Sequence, residues 1–138
     1  MLLDARTYTC RPGTINKHLE LYERLGKGPQ TKHLGNPLAY MKCETGDPNK
    51  YMHIWMYENA GDRETKRAAM WADADWIRYT EESAKLGALE KQENSLWSPV
   101  SFFSSPGGNR YSDARTVLPA LLSSRLSSPR LSWPRKRR

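Results

Sequence analysis

The sequence has few cysteines and no long apolar run, and both absences exclude classes of protein. Cys10 and Cys43 are its two cysteines, too few for the disulfide framework of many small secreted domains. No stretch approaches the roughly 18 apolar residues that a membrane-spanning helix needs. The N-terminal segment, residues 1–10, lacks the basic start and apolar run of a signal peptide. The sequence therefore predicts a cytoplasmic protein that does not bind membranes.

Signatures of common enzyme classes are also missing. The sequence has no Walker loop, no GxGxxG that opens a helix after a strand and no GxSxG elbow. His18, His33 and His53 lie in separate segments without HxH or HExxH spacing, and there is no CxxC pair. We therefore expect no metal site and no cofactor, and the sequence leaves open whether the protein is an enzyme.

The charge that is present is distributed unevenly along the chain. The formal net charge is +7, yet residues 1–103 are neutral, with 14 basic and 14 acidic side chains. Residues 104–138 hold eight basic side chains and one acidic side chain, with eight serines and four prolines, which predicts a disordered tail. The tail is either a polyanion-binding arm or, as we favour, an appendage such as an out-of-frame or read-through product. Nucleic acid is therefore not a favoured partner.

Residues 1–103 contain alternating strand and helix signals that predict one domain. One helix is predicted from Thr14 to a stop at Gly26, and a second helical region from an N-cap at Asp62, with a bend within residues 71–75. Strands are predicted over Leu2–Cys10, Leu38–Thr45, Tyr51–Glu58 and Leu96–Phe103. This order is the split βαβ pattern of a ferredoxin-like α+β domain with a four-stranded antiparallel sheet.

The third predicted strand carries bulky side chains on both of its faces. Alternation places Met52, Ile54 and Met56 on one face and Tyr51, His53, Trp55 and Tyr57 on the other. Two helices can cover only one side of the sheet, and a large uncovered patch marks an interaction surface. We therefore expect a homodimer in which a second copy covers the other side.

Short motifs across residues 2–103 resemble those of the NIPSNAP family. They are Arg6-Thr7-Tyr8, Arg11-Pro12-Gly13, His33-Leu34-Gly35 before Pro37-Leu38, His53-Ile54-Trp55-Met56-Tyr57, Arg63 with Arg67, and Trp76 with Tyr79. The resemblance implies a dimeric α+β barrel, in which two ferredoxin-like sheets pack face to face. It implies little chemistry, because bacterial members are mostly of unknown function. The chain shows one such domain and no targeting segment, so the mitochondrial roles of eukaryotic members are not carried over.

Polar and aromatic side chains on the central strands predict a binding site. If the first and third strands are neighbours, Arg6 lies on the same face as His53, and a buried arginine needs an anionic partner such as Asp4, Glu58 or a ligand carboxylate. Two further arginines, four residues apart on a helix, could contact a phosphate or carboxylate. The predicted ligand-binding residues are Arg6, Tyr8, His53, Trp55, Tyr57, Arg63 and Arg67.

Three functions remain open on the sequence. The first is a homodimer that binds a small, partly apolar or anionic compound in a pocket lined by the central strands. The second is a non-catalytic interaction or scaffold protein in which these side chains satisfy one another and the aromatic face is the dimer interface. The third is a cofactor-independent monooxygenase or an isomerase, by analogy with other dimeric barrels at the level of fold alone.

Overall fold

Four strands form one antiparallel sheet in the order β2-β3-β1-β4, so β1 and β3 lie at its centre. The structure is a computed structural model that describes residues 1–103, and the predicted disordered tail lies outside these residues. The elements are β1 (Leu2–Cys10), α1 (Ile15–Leu21), a π-helical segment (Tyr22–Gly26), α2 (Lys27–Leu34), β2 (Ala39–Lys42), β3 (Lys50–Tyr57), α3 (Ala60–Trp71), α4 (Ala74–Leu86) and β4 (Leu89–Trp97). The ferredoxin-like α+β fold is confirmed.

The first helical region is longer than the sequence predicts. Helix continues through Gly26, and the predicted stop there is wrong: the helix ends at Gly35, whose φ of +79° favours glycine. Gly26 serves close packing instead, because a Cβ atom there would lie 2.8 Å from the Tyr22 ring and 3.0 Å from the Tyr79 ring. A glycine that looks like a helix stop is thus a contact point between the π-helical segment and α4.

Helices α3 and α4 are capped separately, which confirms the predicted bend between them. Asn59, and not the predicted Asp62, is the N-cap of α3: its side-chain oxygen accepts a hydrogen bond of 2.9 Å from the backbone N–H of Asp62. Asp62 fills the third helical position and accepts from the backbone N–H of Glu58. Asp73 caps α4 and accepts from the backbone N–H of Asp75. Within residues 1–103, no helix is long and apolar enough to cross a membrane.

The last strand lies earlier than predicted. It spans Leu89–Trp97 rather than Leu96–Phe103, and it pairs with β1 from Cys10 opposite Leu89 to Leu3 opposite Trp97. Its sequence, LEKQENSLW, is polar and has no β-branched residue, so the local pattern does not favour a strand. Gly87, with a φ of +60°, ends α4, and pairing with β1 then imposes the extended conformation on the chain that follows.

The two faces of the sheet carry different side chains, as the alternation predicts. One face, here called the covered face, packs against the helices and is formed by Asp4, Arg6, Tyr8, Tyr51, His53, Trp55 and Tyr57. The other, here called the open face, carries Leu3, Ala5, Thr7, Met52, Ile54 and Met56, which are partly exposed. The chain's own helices therefore pack on the aromatic face, which is the face that the scaffold alternative assigned to the dimer interface.

Candidate functional site

A cavity of about 370 Å³ lies between the covered face and the helices, within the size range of small-molecule sites. Four side chains of the central strands line its floor: Arg6, Tyr8, Tyr51 and His53. Its other walls come from the helices and from β4, and include Tyr22, Gln30, Arg67, Met70, Trp71, Trp76, Tyr79, Thr80, Ser83, Leu89 and Gln92. The cavity thus combines aromatic walls with convergent polar groups.

Four of the seven predicted ligand-binding residues line this cavity, namely Arg6, Tyr8, His53 and Arg67. The other three lie outside its lining. Trp55 and Tyr57 are fully buried in the hydrophobic core beside it. Arg63 is occupied by an ion pair with Asp4. Alternation along β3 predicts which side chains lie on the face that contains the cavity. It does not predict which part of that face the helices leave uncovered.

Several wall residues were not predicted as site residues from the sequence. Tyr22 and Gln30 come from the first helical region, and Trp76 and Tyr79 come from α4. Their spacing is that of ordinary core residues on an amphipathic helix, so it gives no sign of a cavity. Tyr51 shares the aromatic face with His53, and its position at the end of that row, opposite Tyr8, brings it to the cavity floor.

A cluster of three arginines and one carboxylate forms the charged part of the site. Asp4 is fully buried, and its Oδ2 atom accepts hydrogen bonds from Arg63 Nε at 2.9 Å and from Arg6 Nη1 at 3.4 Å. Arg67 lies near these groups and forms no ion pair within the described residues. Burial lowers the pKa of Arg67, and the neighbouring positive charge of Arg6 adds to this effect. The cluster therefore has more positive than negative charge.

Two stacked tyrosines lie on the cavity floor, and each is hydrogen-bonded to a nitrogen group. The rings of Tyr8 and Tyr51 are 4.7 Å apart and inclined by 10°. Arg6 Nε donates to the hydroxyl oxygen of Tyr8 at 3.1 Å. The Tyr51 hydroxyl lies 2.6 Å from Nε2 of His18, which is fully buried. Burial raises the pKa of Tyr51 far above its ordinary value, so this tyrosine stays protonated at neutral pH.

His53 lies at the centre of the aromatic floor. Its ring contacts those of Tyr8, Tyr22, Tyr40 and Tyr51 at centroid distances of 4.6 to 5.3 Å. Burial lowers the pKa of His53 to about 3, and the charge of Arg6 contributes to the shift. The imidazole is therefore neutral at physiological pH, and its Nδ1 atom has no hydrogen-bond partner in residues 1–103.

A second hydrogen-bonded group consists of Tyr22 and Gln30, which line the cavity, and Tyr40, which does not. The Tyr22 hydroxyl donates to Gln30 Oε1 at 2.7 Å and lies 2.8 Å from the hydroxyl of Tyr40. Burial raises the pKa of Tyr22 well above the ordinary value, and the bond to Tyr40 adds to the shift. In the part of the chain that the structure describes, no group of three or more His, Cys, Asp or Glu side chains could hold a metal ion. The described site offers neutral hydrogen-bond donors and arginine charge.

Comparisons with known proteins agree with this fold. The NIPSNAP family model matches residues 3–104. A NIPSNAP family protein of unknown function from Agrobacterium tumefaciens is 32% identical, with 75% of this chain and 91% of that chain covered and a TM-score of 0.68. An uncharacterized NIPSNAP domain protein from Burkholderia xenovorans is 26% identical, with 76% and 100% covered and a TM-score of 0.71. No curated protein matches the chain.

A more distant likeness is informative about the fold alone. A putative antibiotic biosynthesis monooxygenase from Nitrosomonas europaea has a TM-score of 0.54, with 72% of this chain and 99% of that chain covered. Its sequence identity is 10%, too low to compare individual site residues. The shared feature is the ferredoxin-like arrangement of sheet and helices, on which many unrelated functions are built.

Proposed function

The chain belongs to the NIPSNAP family, and on that premise we propose that it binds a small, partly apolar anion in the cavity between its sheet and its helices. The observation that carries the proposal is the excess of arginine at this site. Asp4 neutralises one positive charge, whereas Arg6, Arg63 and Arg67 supply three. A ligand carboxylate beside Arg67 and Arg6 would offset the cost of burying their charge and would accept their N–H groups.

The size and walls of the cavity support a ligand with an apolar body. A volume of about 370 Å³ corresponds to on the order of a dozen water molecules, at roughly 30 Å³ each. Met70, Trp71, Trp76 and Tyr79 line one side and provide flat or flexible apolar surface. A single aromatic ring joined to a carboxylate by a short chain suits both the volume and the arginines.

We also propose that the protein is a homodimer that pairs through its open face. This face presents methionine, isoleucine, leucine and alanine side chains at its centre, and Met41 and Trp97 are about half exposed at its sides. Such a contiguous apolar surface is costly in water, and a second copy of the same sheet would cover it. The covered face then keeps its cavity in each protomer, because the two surfaces lie on opposite sides of the sheet.

The other functions derived from the sequence have less support. The scaffold hypothesis used the aromatic face as an interface, and that face lies under the helices. The oxygenase alternative has in its favour a likeness of fold to a putative antibiotic biosynthesis monooxygenase at 10% identity, and the isomerase alternative has no such likeness among the proteins described above. No reaction is carried over from that likeness, and a cytoplasmic location remains a prediction from the sequence.

The experiment is a comparison of two ligands of the same shape that differ in charge. Isothermal titration of the full chain with 4-phenylbutanoate and with 4-phenylbutanamide measures what the negative charge contributes. We expect the acid to bind at least about tenfold more tightly, since a charged hydrogen bond contributes roughly 1.5–3 kcal/mol. Arg67→Met should remove that preference while leaving amide binding unchanged.

The matched control is Arg78→Met, an exposed arginine on α4 outside the cavity. This variant should bind both ligands as the unmodified protein does. The proposal fails if the acid and the amide bind equally well, if neither binds, or if Arg78→Met weakens acid binding as much as Arg67→Met does.

A further inference from the structure

The hydrogen-bonding state of His18 can be assigned from its surroundings. A neutral imidazole has one N–H donor and one acceptor nitrogen. His18 is fully buried, its Nε2 atom bonds the Tyr51 hydroxyl, and its Nδ1 atom has no partner among the described residues. Burying an N–H without an acceptor is rarer than leaving a lone pair unpaired, so the proton belongs on Nε2. His18 therefore donates to the Tyr51 oxygen.

This assignment makes the two stacked tyrosines equivalent. Arg6 Nε donates to the oxygen of Tyr8, and with this tautomer His18 Nε2 donates to the oxygen of Tyr51 in the same way. Each hydroxyl accepts from a nitrogen of the protein, so the O–H of each remains for another acceptor. Both side chains line the cavity, and their rings stack. The floor thus holds two adjacent tyrosines whose O–H groups donate to no acceptor within residues 1–103.

We propose that the stacked Tyr8 and Tyr51 hydroxyls bind a carbonyl oxygen of the ligand, so that the ligand class is an oxo acid with its carboxylate at Arg6 and Arg67. The inference rests on the proposed function and deepens it by naming a second recognised group. Because the Tyr51 oxygen accepts a bond from His18, its O–H is polarised and becomes a stronger donor. His18 is in this sense a positioning residue that acts through Tyr51.

The geometry of the strands limits the separation of the two ligand groups. Arg6 pairs with His53, and Tyr8 pairs with Tyr51, one alternation further along the same two strands. Two residues of a strand span roughly 7 Å. Because the Arg6 side chain is flexible, its guanidinium group can lie closer to the tyrosine hydroxyls than this spacing. The carboxylate and the carbonyl oxygen of the ligand should therefore be only a few bonds apart. The acid 4-oxo-4-phenylbutanoate meets this condition and differs from 4-phenylbutanoate by one carbonyl oxygen.

The test compares these two acids by isothermal titration of the full chain. We expect the oxo acid to bind at least tenfold more tightly to the unmodified protein. Tyr51→Phe should reduce this preference to less than threefold while changing the affinity for 4-phenylbutanoate by less than twofold. Thr7→Val is the matched control, because it removes a hydroxyl group from the open face of β1, outside the cavity, and it should keep the full preference.

An infrared measurement separates hydrogen bonding from packing. With the ketone carbon labelled with carbon-13, the carbonyl stretch of the bound oxo acid should shift to lower frequency, and the shift should be lost in Tyr51→Phe. His18→Leu, which removes the donor to Tyr51, should reduce the shift, whereas His18→Gln keeps an N–H donor and should retain most of it.

The outcomes distinguish this inference from the proposed function. If both acids bind with equal affinity in an Arg67-dependent manner, the oxo-acid inference is wrong and the anion site stands. If neither acid binds, both fail. A preference that persists in Tyr51→Phe and Tyr8→Phe also overturns the inference, because the carbonyl group would then be recognised elsewhere.

Discussion

The covered face and the open face are built from the same strands and differ in almost every chemical respect. On β1, Asp4, Arg6 and Tyr8 point beneath the helices, while Leu3 and the other intervening residues point to the open side. On β3, histidine and aromatic rings alternate with methionine and isoleucine in the same way. Since the backbone is common to both faces, the difference reflects what each face packs against.

The comparison teaches that burial alone does not explain the covered face. A face that served stability alone would be apolar, because buried polar groups are costly unless they are hydrogen-bonded. This face and the helices that cover it instead enclose a carboxylate, three arginines and two histidines, and Asp4 Oδ1, His18 Nδ1 and His53 Nδ1 have no partner in the region described. The open face has an apolar centre, and β4 adds Ser95 and the Lys91–Glu93 ion pair at its edge, as in an interface with an apolar core and a polar rim. The side chains proposed to bind the ligand and those proposed to form the dimer therefore alternate along the same two strands.

The largest effect should come from removing the buried carboxylate. Asp4→Ala leaves Arg6 and Arg63 without their shared acceptor, and breaking a buried ion pair in this way costs about 3–5 kcal/mol. Urea denaturation followed by circular dichroism measures the free energy of unfolding. Thr7→Ala, on the open face of the same strand, is the control and should cost less than about 1 kcal/mol.

Equal losses in the two variants would remove the distinction between the faces. A small loss in Asp4→Ala would mean that solvent reaches the arginines and compensates for the missing carboxylate. In that case the argument for an excess of buried positive charge, and with it the anion site, would also weaken.

Alternation and turn residues predict much of this fold from the sequence. β1, the hairpin of β2 and β3, the bend before Asp73 and the composition of both faces all follow from local patterns. Gly26 and β4 do not. The role of Gly26 depends on Tyr79, which is more than fifty residues distant in the chain, and β4 is a strand because β1 pairs with it.

The site residues, too, can be predicted only in part from local sequence patterns. Arg6, Tyr8 and His53 share a face by alternation, and their convergence with Arg67 follows from the topology. Whether Trp55 or Tyr51 lies at the cavity depends on where the helices contact the sheet, which no local pattern contains. The partner of Arg6 was one of three alternatives in the sequence, and the structure identifies Asp4.

A second prediction concerns the open face and the proposed dimer. Ile54→Asp places a charge at the centre of this face, directly opposite Ala5 on β1. Burying an unpaired carboxylate costs several kcal/mol, so the dissociation constant of the dimer should rise at least 100-fold, which corresponds to about 2.7 kcal/mol. Analytical ultracentrifugation over a range of concentrations measures it.

Ile77→Asp is the control for this experiment, since Ile77 is an exposed apolar residue on α4. It should leave the dimer intact. A monomeric unmodified protein at micromolar concentration, or equal effects of the two variants, would exclude the open face as the interface. Ligand binding should survive in monomeric Ile54→Asp, because the cavity lies on the other side of the sheet.

The smallest of the three effects is a dependence of stability on pH that belongs to the covered face. Folding lowers the pKa of His53 from 6.5 to about 3, chiefly by burial, so the unfolded chain binds a proton below pH 6.5 that the native protein does not bind. The free energy of unfolding should therefore fall as the pH falls, by about 1.4 kcal/mol per unit, or about 2 kcal/mol between pH 7 and pH 5. Burial also lowers the pKa of His18, which adds an effect of the same sign.

Urea denaturation at pH 7, 6 and 5 measures this slope, and His53→Gln should reduce it. His33→Gln is the control: His33 bonds Asp73 at the start of α4, away from the cavity, so this variant should keep the slope due to His53. The open-face residues of β1 and β3 include no histidine, so the slope reports on the covered face. A slope that is unchanged in His53→Gln would mean that folding does not lower the pKa of His53, and the description of His53 as neutral in the cavity floor would be wrong.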